Sequence, residues 1–277
     1  MEENLVIVRC GGKSLHSTWL GDLEERNWDL FLCPYQPVHA AAKAGVAAGD
    51  VLEGQKWAGL ARLLQQRGKN VPDWRRYRYV WLPDDDLVLK QSDINELFGI
   101  AARLDAKLCA PALHPESYFS HLITMANKSF TARRTDFVEV MMPCFRSDVL
   151  ERLLETFSLS ETGLGWGLDF LWPHILDFQN VFIIDAVLAL HVRPVHQHRS
   201  SDLTKRANDE MNTILTSYNA RVRWNVFGGH DELYEYISAI EPSFLYKLIN
   251  GWSYLFRRRP ELMGKLLFDQ GYRLETS

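Results

Sequence analysis

The chain has 277 residues, enough for one large α/β domain or for such a domain with a smaller appendage. Hydrophobic residues at 47% and charged residues at 24% are the make-up of an ordinary globular protein, which excludes a disordered chain and a membrane-embedded body. A net charge of −4 and a pI near 6.1 remove the basic field on which general nucleic-acid binding depends, so no nucleic-acid partner is expected.

The chain opens with Glu2 and Glu3 and passes directly into apolar residues 5–8, without the basic start and small-residue cleavage site of an export signal. A cytoplasmic location is therefore expected. Residues 5–9 form the first strand candidate, followed by Arg9-Cys10-Gly11-Gly12-Lys13-Ser14. Residues 28–32 form the second. A helix is predicted over residues 50–66, with Asp50 and Glu53 as a capping box, Trp57, Leu60, Ala61 and Leu64 on one face, and Gly68 at the end. Further strands are predicted at residues 77–82, 107–112, 137–141 and 181–190. Between them come a helix over residues 92–104, capped by Ser92, and another after Ser147. Cys10, Cys33, Cys109 and Cys144 lack paired metal-ligand spacing and read as reduced core thiols. The apolar run 181–192 is broken by Asp185 and falls short of the ~20 residues of a spanning helix.

Strands alternating with helices imply a mainly parallel sheet covered on both faces, with ligands beyond the carboxyl ends of its strands. After about Pro194 helical patterns take over, beginning with residues 201–217, so residues 1–195 are expected to form the main domain and residues 196–277 a helical extension. Residues 196–200 read as a polar connector.

The most informative stretch runs from an apolar strand through Leu82-Pro83 into Asp84-Asp85-Asp86. Each adjacent pair of carboxylates repels by about 1 kcal/mol at 4 Å even in water, so the cluster is either well solvated, as a simple turn, or holds a cation. Oxygen ligands of this kind suit Mg²⁺ or Mn²⁺ bridging to a diphosphate. The stretch resembles the D-x-D motif of nucleotide-sugar glycosyltransferases of the GT-A fold, with Asp84 and Asp86 at the aspartate positions. Two later segments extend the likeness. Gly163-Leu164-Gly165-Trp166-Gly167-Leu168-Asp169 is similar to that family's second acidic motif, and His191, at the end of the last strand, matches a late histidine that completes the metal shell. With Phe137-Val138-Glu139-Val140-Met141-Met142-Pro143, this order also resembles an uncharacterised glycosyltransferase-like family of bacteria and plants, over about residues 1–195.

The resemblance implies a GT-A-like, Rossmann-type sheet and a metal-dependent glycosyltransferase, moving a sugar from a nucleotide-diphosphate donor to a hydroxyl of a glycan or lipid-linked acceptor. Asp84, Asp86 and His191 would hold Mn²⁺ or Mg²⁺. Asp169 would act as base, with inversion of configuration; its alternative is a helix cap. Trp166 and Gly167 would meet the acceptor, the indole face stacking on a sugar ring. At the donor end Gly11 allows close backbone approach and Arg9 or Lys13 offsets phosphate charge, the alternative for this stretch being a plain strand-to-helix turn, and Asp84 and Asp85 belong to the nucleotide pocket. Lys56 is either a diphosphate contact or a solvated surface lysine. Asp185, inside its strand, is explained equally by a hydrogen bond to backbone.

Residues 244–256 carry an apolar face at helical spacing, and Lys247, Arg257, Arg258, Arg259 and Lys265 against Glu261 give a net +4 over residues 247–265. Such a segment either packs on the body with its arginines in water or lies on the inner face of an anionic membrane. Two rival functions remain: a haloacid-dehalogenase-type phosphotransferase, since Asp84 to Val88 also fits D-x-D-x-[TV], and a non-catalytic sugar-nucleotide-binding protein.

Overall fold

A computed structural model describes residues 3–37, 46–66, 68, 70–195 and 200–264. It is an α/β fold, a central sheet flanked by helices. The strands are β1 (Asn4–Cys10), β2 (Trp28–Pro34), β3 (Val46–Ala48), β4 (Tyr79–Trp81), β5 (Leu87–Val88), β6 (Leu108–Leu113), β7 (Ala132–Thr135), β8 (Cys144–Arg146), β9 (Val181–His191), β10 (Val226–His230) and β11 (Tyr236–Ser238). Their order across the sheet is β11-β10-β7-β9-β6-β8-β4-β1-β2-β3, with β5 paired to the end of β9. Every residue of β1 is buried, as a strand covered on both faces requires.

The expectation of a mainly parallel sheet is corrected. β1, β2, β3 and β4 pair in parallel, as do β6 and β9, but β8 runs antiparallel between β4 and β6, and β7 and β10 are antiparallel as well. Two parallel blocks are thus joined through a reversed strand. The cysteines are free and buried, as expected of core thiols.

The helices are α1 (Lys56–Gln65), α2 (Gln91–Arg103), α3 (Ser147–Leu153), α4 (Leu168–Ile175), α5 (Ser201–Ser217), α6 (Pro242–Gly251), α7 (Ser253–Arg258) and α8 (Glu261–Gly264). Trp57, Leu60, Ala61 and Leu64 are buried on α1 as the spacing predicts, but the helix starts six residues late. Residues before it continue alongside β2, with the amides of Gly49 and Leu52 donating to Leu32 and Pro34, and Asp50 accepts from Asn70 instead of capping. α2 starts one residue early, the Asp93 carboxylate accepting the amide of Lys90.

Residues 137–141, expected as a strand, form a buried loop. Asp136 accepts two hydrogen bonds from Asn225, the Thr135 hydroxyl caps the amide of Phe137, and the carbonyls of Val140 and Met141 accept from Lys56. Side chains therefore satisfy backbone groups that a sheet ladder would have used.

Residues after 195 are not only helical: β10 and β11 add a hairpin to the edge of the main sheet through β7. The helical spacing missed them because Gly228 and Gly229 dilute the strand pattern. The polar connector falls largely on residues 196–199, outside the described residues, as does Lys265. The apolar face at 244–256 is split between α6 and α7, and Phe244, Leu248, Trp252, Leu255 and Phe256 are buried in the core. That face is thus covered by the body; Leu245, Tyr246 and Ile249 remain exposed. Among the described residues no helix is long and apolar enough to cross a membrane.

A buried ion pair joins β7 to β9 and lies against Trp252, the residue between α6 and α7. Arg133 of β7 donates Nε and Nη2 to the two oxygens of Asp185 on β9, each at 2.8 Å, both side chains fully buried. Asp185 also accepts the amide of Asn127, and the Arg133 guanidinium lies over the Trp252 ring at 4.8 Å. Asp185 sits where β9 slips register against β6, between Ile184 and Leu188. Arg133→Met alone is expected to destabilise the protein by about 3–5 kcal/mol, because it strands a buried carboxylate, while Arg133→Met with Asp185→Leu recovers most of that loss. Urea midpoints of the two variants check this.

Candidate functional site

β4 ends at Trp81, and Leu82 to Asp86 turn toward β5, fixed by backbone bonds from Leu82 to Pro143, Asp84 to Met141 and Leu15 to Asp85. The turn sends Asp84 and Asp86 one way and Asp85 another. Asp84 and Asp86 line a cavity of about 840 Å³. Asp85 turns away, accepting the amide of Gly11 at 3.0 Å and Nη1 of Arg193 at 3.2 Å.

Each aspartate meets a cationic or protonatable partner within the chain. Lys56, at the start of α1, places Nζ 2.7 Å from Asp84 and donates to the carbonyls of Val140 at 2.9 Å and Met141 at 2.6 Å. Its reading as a solvated lysine is corrected: burial holds its pKa below the usual range, with Asp84 opposing the shift. Burial likewise raises the Asp84 carboxyl, with Lys56 pulling the other way.

Asp86 follows different chemistry. The pairing of Leu87 with His191 between β5 and β9 sets Asp86 Oδ2 3.3 Å from His191 Nε2, with Arg193 Nη1 at 4.0 Å. Burial disfavours its ionisation, but the hydrogen bond and charge of His191 outweigh it and leave the pKa lowered. The His191 pKa is raised although burial alone would lower it, because Asp86 and the Tyr118 carbonyl favour the imidazolium.

These residues fit a divalent ion in part. Nδ1 of His191 lies 2.7 Å from the Tyr118 carbonyl, which can only accept, so Nδ1 carries a proton and a neutral ring would present its lone pair at Nε2. Asp86 Oδ1 is buried and accepts no hydrogen bond among the described residues. Asp84 is committed to Lys56, and no group of three acidic, histidine or cysteine side chains converges among the described residues. A Mn²⁺ or Mg²⁺ ion would therefore take Asp86 and His191 and complete its shell from substrate oxygens and water, as small hard cations do.

The Gly-Trp-Gly segment lines the same cavity. Gly163, Gly165 and Gly167 all have left-handed backbone, and Gly167, at φ 94°, is the residue from which α4 starts. Glu210 of α5 holds the turn, accepting from Ser160, the Thr162 amide and the Thr162 hydroxyl. Trp166 lines the cavity; Gly167 instead packs against Met211 of α5. Asp169 lines it too, with Oδ1 accepting the amides of Gly167 at 3.2 Å and Phe170 at 3.1 Å. Burial, reinforced by the charge of Glu139, pushes the Asp169 carboxyl up to about 8. Glu139 lines the same cavity, brought there by the 137–141 loop. Sequence reasoning passed over it as part of a strand. Its one signal was a lone carboxylate inside the apolar run from Phe137 to Met142.

Arg193, also missed, lies two residues past His191 and braces the acidic turn through Asp85 and the Lys13 carbonyl. The lining also has an aromatic and apolar part, with Phe170 against Trp224, Leu203 and Met211. Residues on both sides of the expected boundary at 195 thus line one cavity.

The expected donor contacts at the first strand are not at the cavity. Arg9 is 4% exposed and spends its guanidinium on the carbonyls of Cys33, Pro34, Leu52 and Gly54. Gly11 serves Asp85, and a Cβ there would collide with the Tyr35 hydroxyl. The Lys13 side chain is exposed while its carbonyl accepts from Arg193.

No protein-family model matches the chain, and no curated protein matches it in sequence. Among solved structures, S. aureus TarS 1–349 in complex with UDP aligns with 80% of this chain and 67% of its own, at 7% identity and a TM-score of 0.47. The complex of TarS 1–349 with UDP-GlcNAc aligns with 96% of this chain and 84% of its own, at 9% identity and a TM-score of 0.46. A mycobacterial protein aligns over 79% and 76% respectively, at 11% identity and a TM-score of 0.43. These are loose likenesses of overall shape.

A carboxyl whose folded pKa lies above its unfolded value favours the folded state when protonated, so Asp169 makes folding less favourable as pH rises from about 4 toward 8. Asp169→Asn, neutral throughout, is expected to gain on the order of 2 kcal/mol over the wild type between pH 4 and pH 9, less than the full shift because Glu139 shares the effect. Urea denaturation at both pH values measures the difference.

Proposed function

We propose that this chain is a glycosyltransferase of GT-A type that moves a sugar from a nucleotide-diphosphate donor to a hydroxyl acceptor. The observation that carries the reading is a single cavity lined by Asp86 and His191 together with the carboxylates of Asp169 and Glu139, a set that suits a diphosphate leaving group and an acceptor proton. A Mn²⁺ or Mg²⁺ ion bound by Asp86 and His191 would neutralise the departing diphosphate. Lys56, held by Asp84, and Arg193 add positive charge where the diphosphate sits, and Asp84 orients the donor through Lys56 or its ribose. The acceptor lies toward Trp166 and the apolar part of the lining, its ring against the indole face. Attack by its hydroxyl from the carboxylate side, opposite the diphosphate, inverts the anomeric centre.

The acceptor is a glycan or a lipid-linked saccharide. In the second case the exposed Leu245, Tyr246 and Ile249, with Arg257 and Arg258, are the surface that would meet an anionic membrane. The double variant Arg257→Glu/Arg258→Glu is then expected to lose co-sedimentation with phosphatidylglycerol vesicles; equal binding by both proteins removes the membrane contact.

Mn²⁺-dependent transfer and donor hydrolysis, assayed over a panel of nucleotide sugars, test the main reading. Calorimetry is expected to show Mn²⁺ affinity falling about 10- to 100-fold in His191→Ala and Asp86→Ala. Hydrolysis of phosphate monoesters in place of nucleotide sugars would favour the phosphotransferase, and binding without turnover the non-catalytic protein. Mn²⁺ binding unchanged in both variants would remove the metal site.

A further inference from the structure

β9 outruns its neighbour in the sheet. Its partner β6 ends at Leu113, opposite Ala189, while β9 continues to His191. On that edge the last backbone groups of β9 lie beyond the ladder, and buried groups of this kind need partners. Residues 114–118 supply them. The His114 amide donates to the Ala189 carbonyl at 2.9 Å and the Tyr118 amide to the His191 carbonyl at 3.1 Å. Between these two, the Ser117 hydroxyl accepts the His191 amide at 3.1 Å and donates to the Ala189 carbonyl at 3.2 Å. A single hydroxyl can do both, being donor and acceptor at once.

The same clasp fixes the imidazole. His191 Nδ1 lies 2.7 Å from the Tyr118 carbonyl, so residue 118 grips residue 191 through its backbone and its ring together. With the Nδ1 proton spent on that carbonyl, Nε2 is the nitrogen that faces Asp86, 3.3 Å away. Ser117 and His191 are both buried, so the amide they share is shielded from bulk water. Without the Ser117 oxygen that amide would be left unpaired at the point where the direction of the ring is set.

Beyond Tyr118 the chain lends Phe119, Ser120 and His121 to the cavity and is then fastened to the C-terminal helices. Trp252 Nε1 donates to the Met125 carbonyl at 3.0 Å, the Tyr254 hydroxyl to the Ala126 carbonyl at 2.6 Å, and Asn127 Nδ2 to the Leu248 carbonyl at 2.8 Å. The Lys128 amide donates to the Gly251 carbonyl at 3.1 Å, and the approach is close enough that a Cβ at Gly251 would collide with Asn127. Arg259, just after α7, lies over the Phe119 ring at 5.2 Å. One end of this segment therefore holds His191, and the other is held by α6 and α7.

We propose that Ser117 is a positioning residue for His191, and that α6 and α7 act through residues 117–128 to keep that histidine with Nε2 turned to the cavity. The role rests on the reading of His191 as a ligand of the donor's cation, whereas the orientation of the ring does not depend on it. The C-terminal helices are then part of the working site: they steady the strand end on which the cation's nitrogen ligand stands.

Full-length wild type is compared with Ser117→Ala, Ser117→Thr, Tyr254→Phe and Tyr79→Phe in three measurements: the tautomer of the neutral His191 ring by long-range nitrogen–proton NMR without metal, Mn²⁺ affinity by calorimetry, and the urea midpoint. Tyr79 is the matched control, a buried tyrosine whose hydroxyl donates to the Ala101 carbonyl of α2 at 2.9 Å. The wild-type ring is expected to carry its proton on Nδ1. Ser117→Ala is expected to mix the tautomers and to weaken Mn²⁺ binding about 10-fold or more, the scale of lost support behind a metal ligand. Ser117→Thr, which keeps the hydroxyl, is expected to recover most of that loss. Tyr254→Phe is expected to weaken Mn²⁺ binding about 2- to 10-fold, the worth of one hydrogen bond, while Tyr79→Phe leaves it unchanged at a similar loss of midpoint. Wild-type tautomer and Mn²⁺ affinity in Ser117→Ala would overturn the role of Ser117. Should that variant fail to fold, Ser117→Cys, whose thiol is a poor hydrogen-bonding group, takes its place under the same criteria. Equal affinities in Tyr254→Phe and Tyr79→Phe would overturn the role of the C-terminal helices. A wild type that binds no Mn²⁺ would remove the metal reading of the site, and the tautomers of wild type and Ser117→Ala would still decide whether the clasp orients the ring.

Discussion

The site is organised by one largely buried ammonium. Lys56 comes from α1, Asp84 from the turn after β4, and the carbonyls of Val140 and Met141 from the loop after β7, and Nζ joins all three. Burying a lysine is unfavourable unless its charge is paired and its donors are used, and here each of the three N–H groups has an acceptor. The same contact lowers the cost of placing Asp84 beside Asp86 in a cavity wall. Without it the acidic turn would be under-compensated, and the loop that carries Glu139 would lose the anchor at its far end.

From that node the rest of the cavity follows by backbone geometry. The register between β5 and β9 puts Asp86 next to His191, while Arg193, two residues on, reaches back to Asp85 and to the Lys13 carbonyl. The positive-φ glycines let the chain turn tightly enough for Trp166 and Asp169 to enter the cavity from consecutive turns, and Met211 fills the space that a side chain at 167 would need. The C-terminal part is structural to the site as well. Glu210 and Met211 of α5 back the Gly-Trp-Gly turn, and Asn225, just before β10, grips Asp136. Residues 200–226 thus complete a wall begun by residues 136–170.

The charges show why neighbours in sequence need not share a role. Asp84, Asp85 and Asp86 are adjacent, yet one is held by a lysine, one by a glycine amide with an arginine, and one faces a histidine. Their acidities part accordingly, Asp84 and Asp85 raised and Asp86 lowered: burial is the leading influence on each, and only at Asp86 do the local partners outweigh it. Asp169 and Glu139 are the converse case, thirty residues apart and electrostatically coupled.

Apolar periodicity by itself determined the buried face of α1, the full extent of α5, the long strand β9 and the α/β class, because burial of a repeating face is a local pattern that survives in any tertiary setting. The resemblance to a glycosyltransferase order of motifs singled out Asp84, Asp86, Trp166, Asp169 and His191, which one cavity gathers. Only the tertiary structure decided that Lys56 joins Asp84 to the carbonyls of Val140 and Met141, that Arg9 serves the backbone of residues 33–54 and not the cavity, that residues 137–141 form a loop, and that Glu139 lines the same cavity as Asp169. The physical reason is the same in each case. A charged side chain takes its role from partners tens of residues away, and no spacing along the chain encodes which carbonyl or carboxylate will meet it.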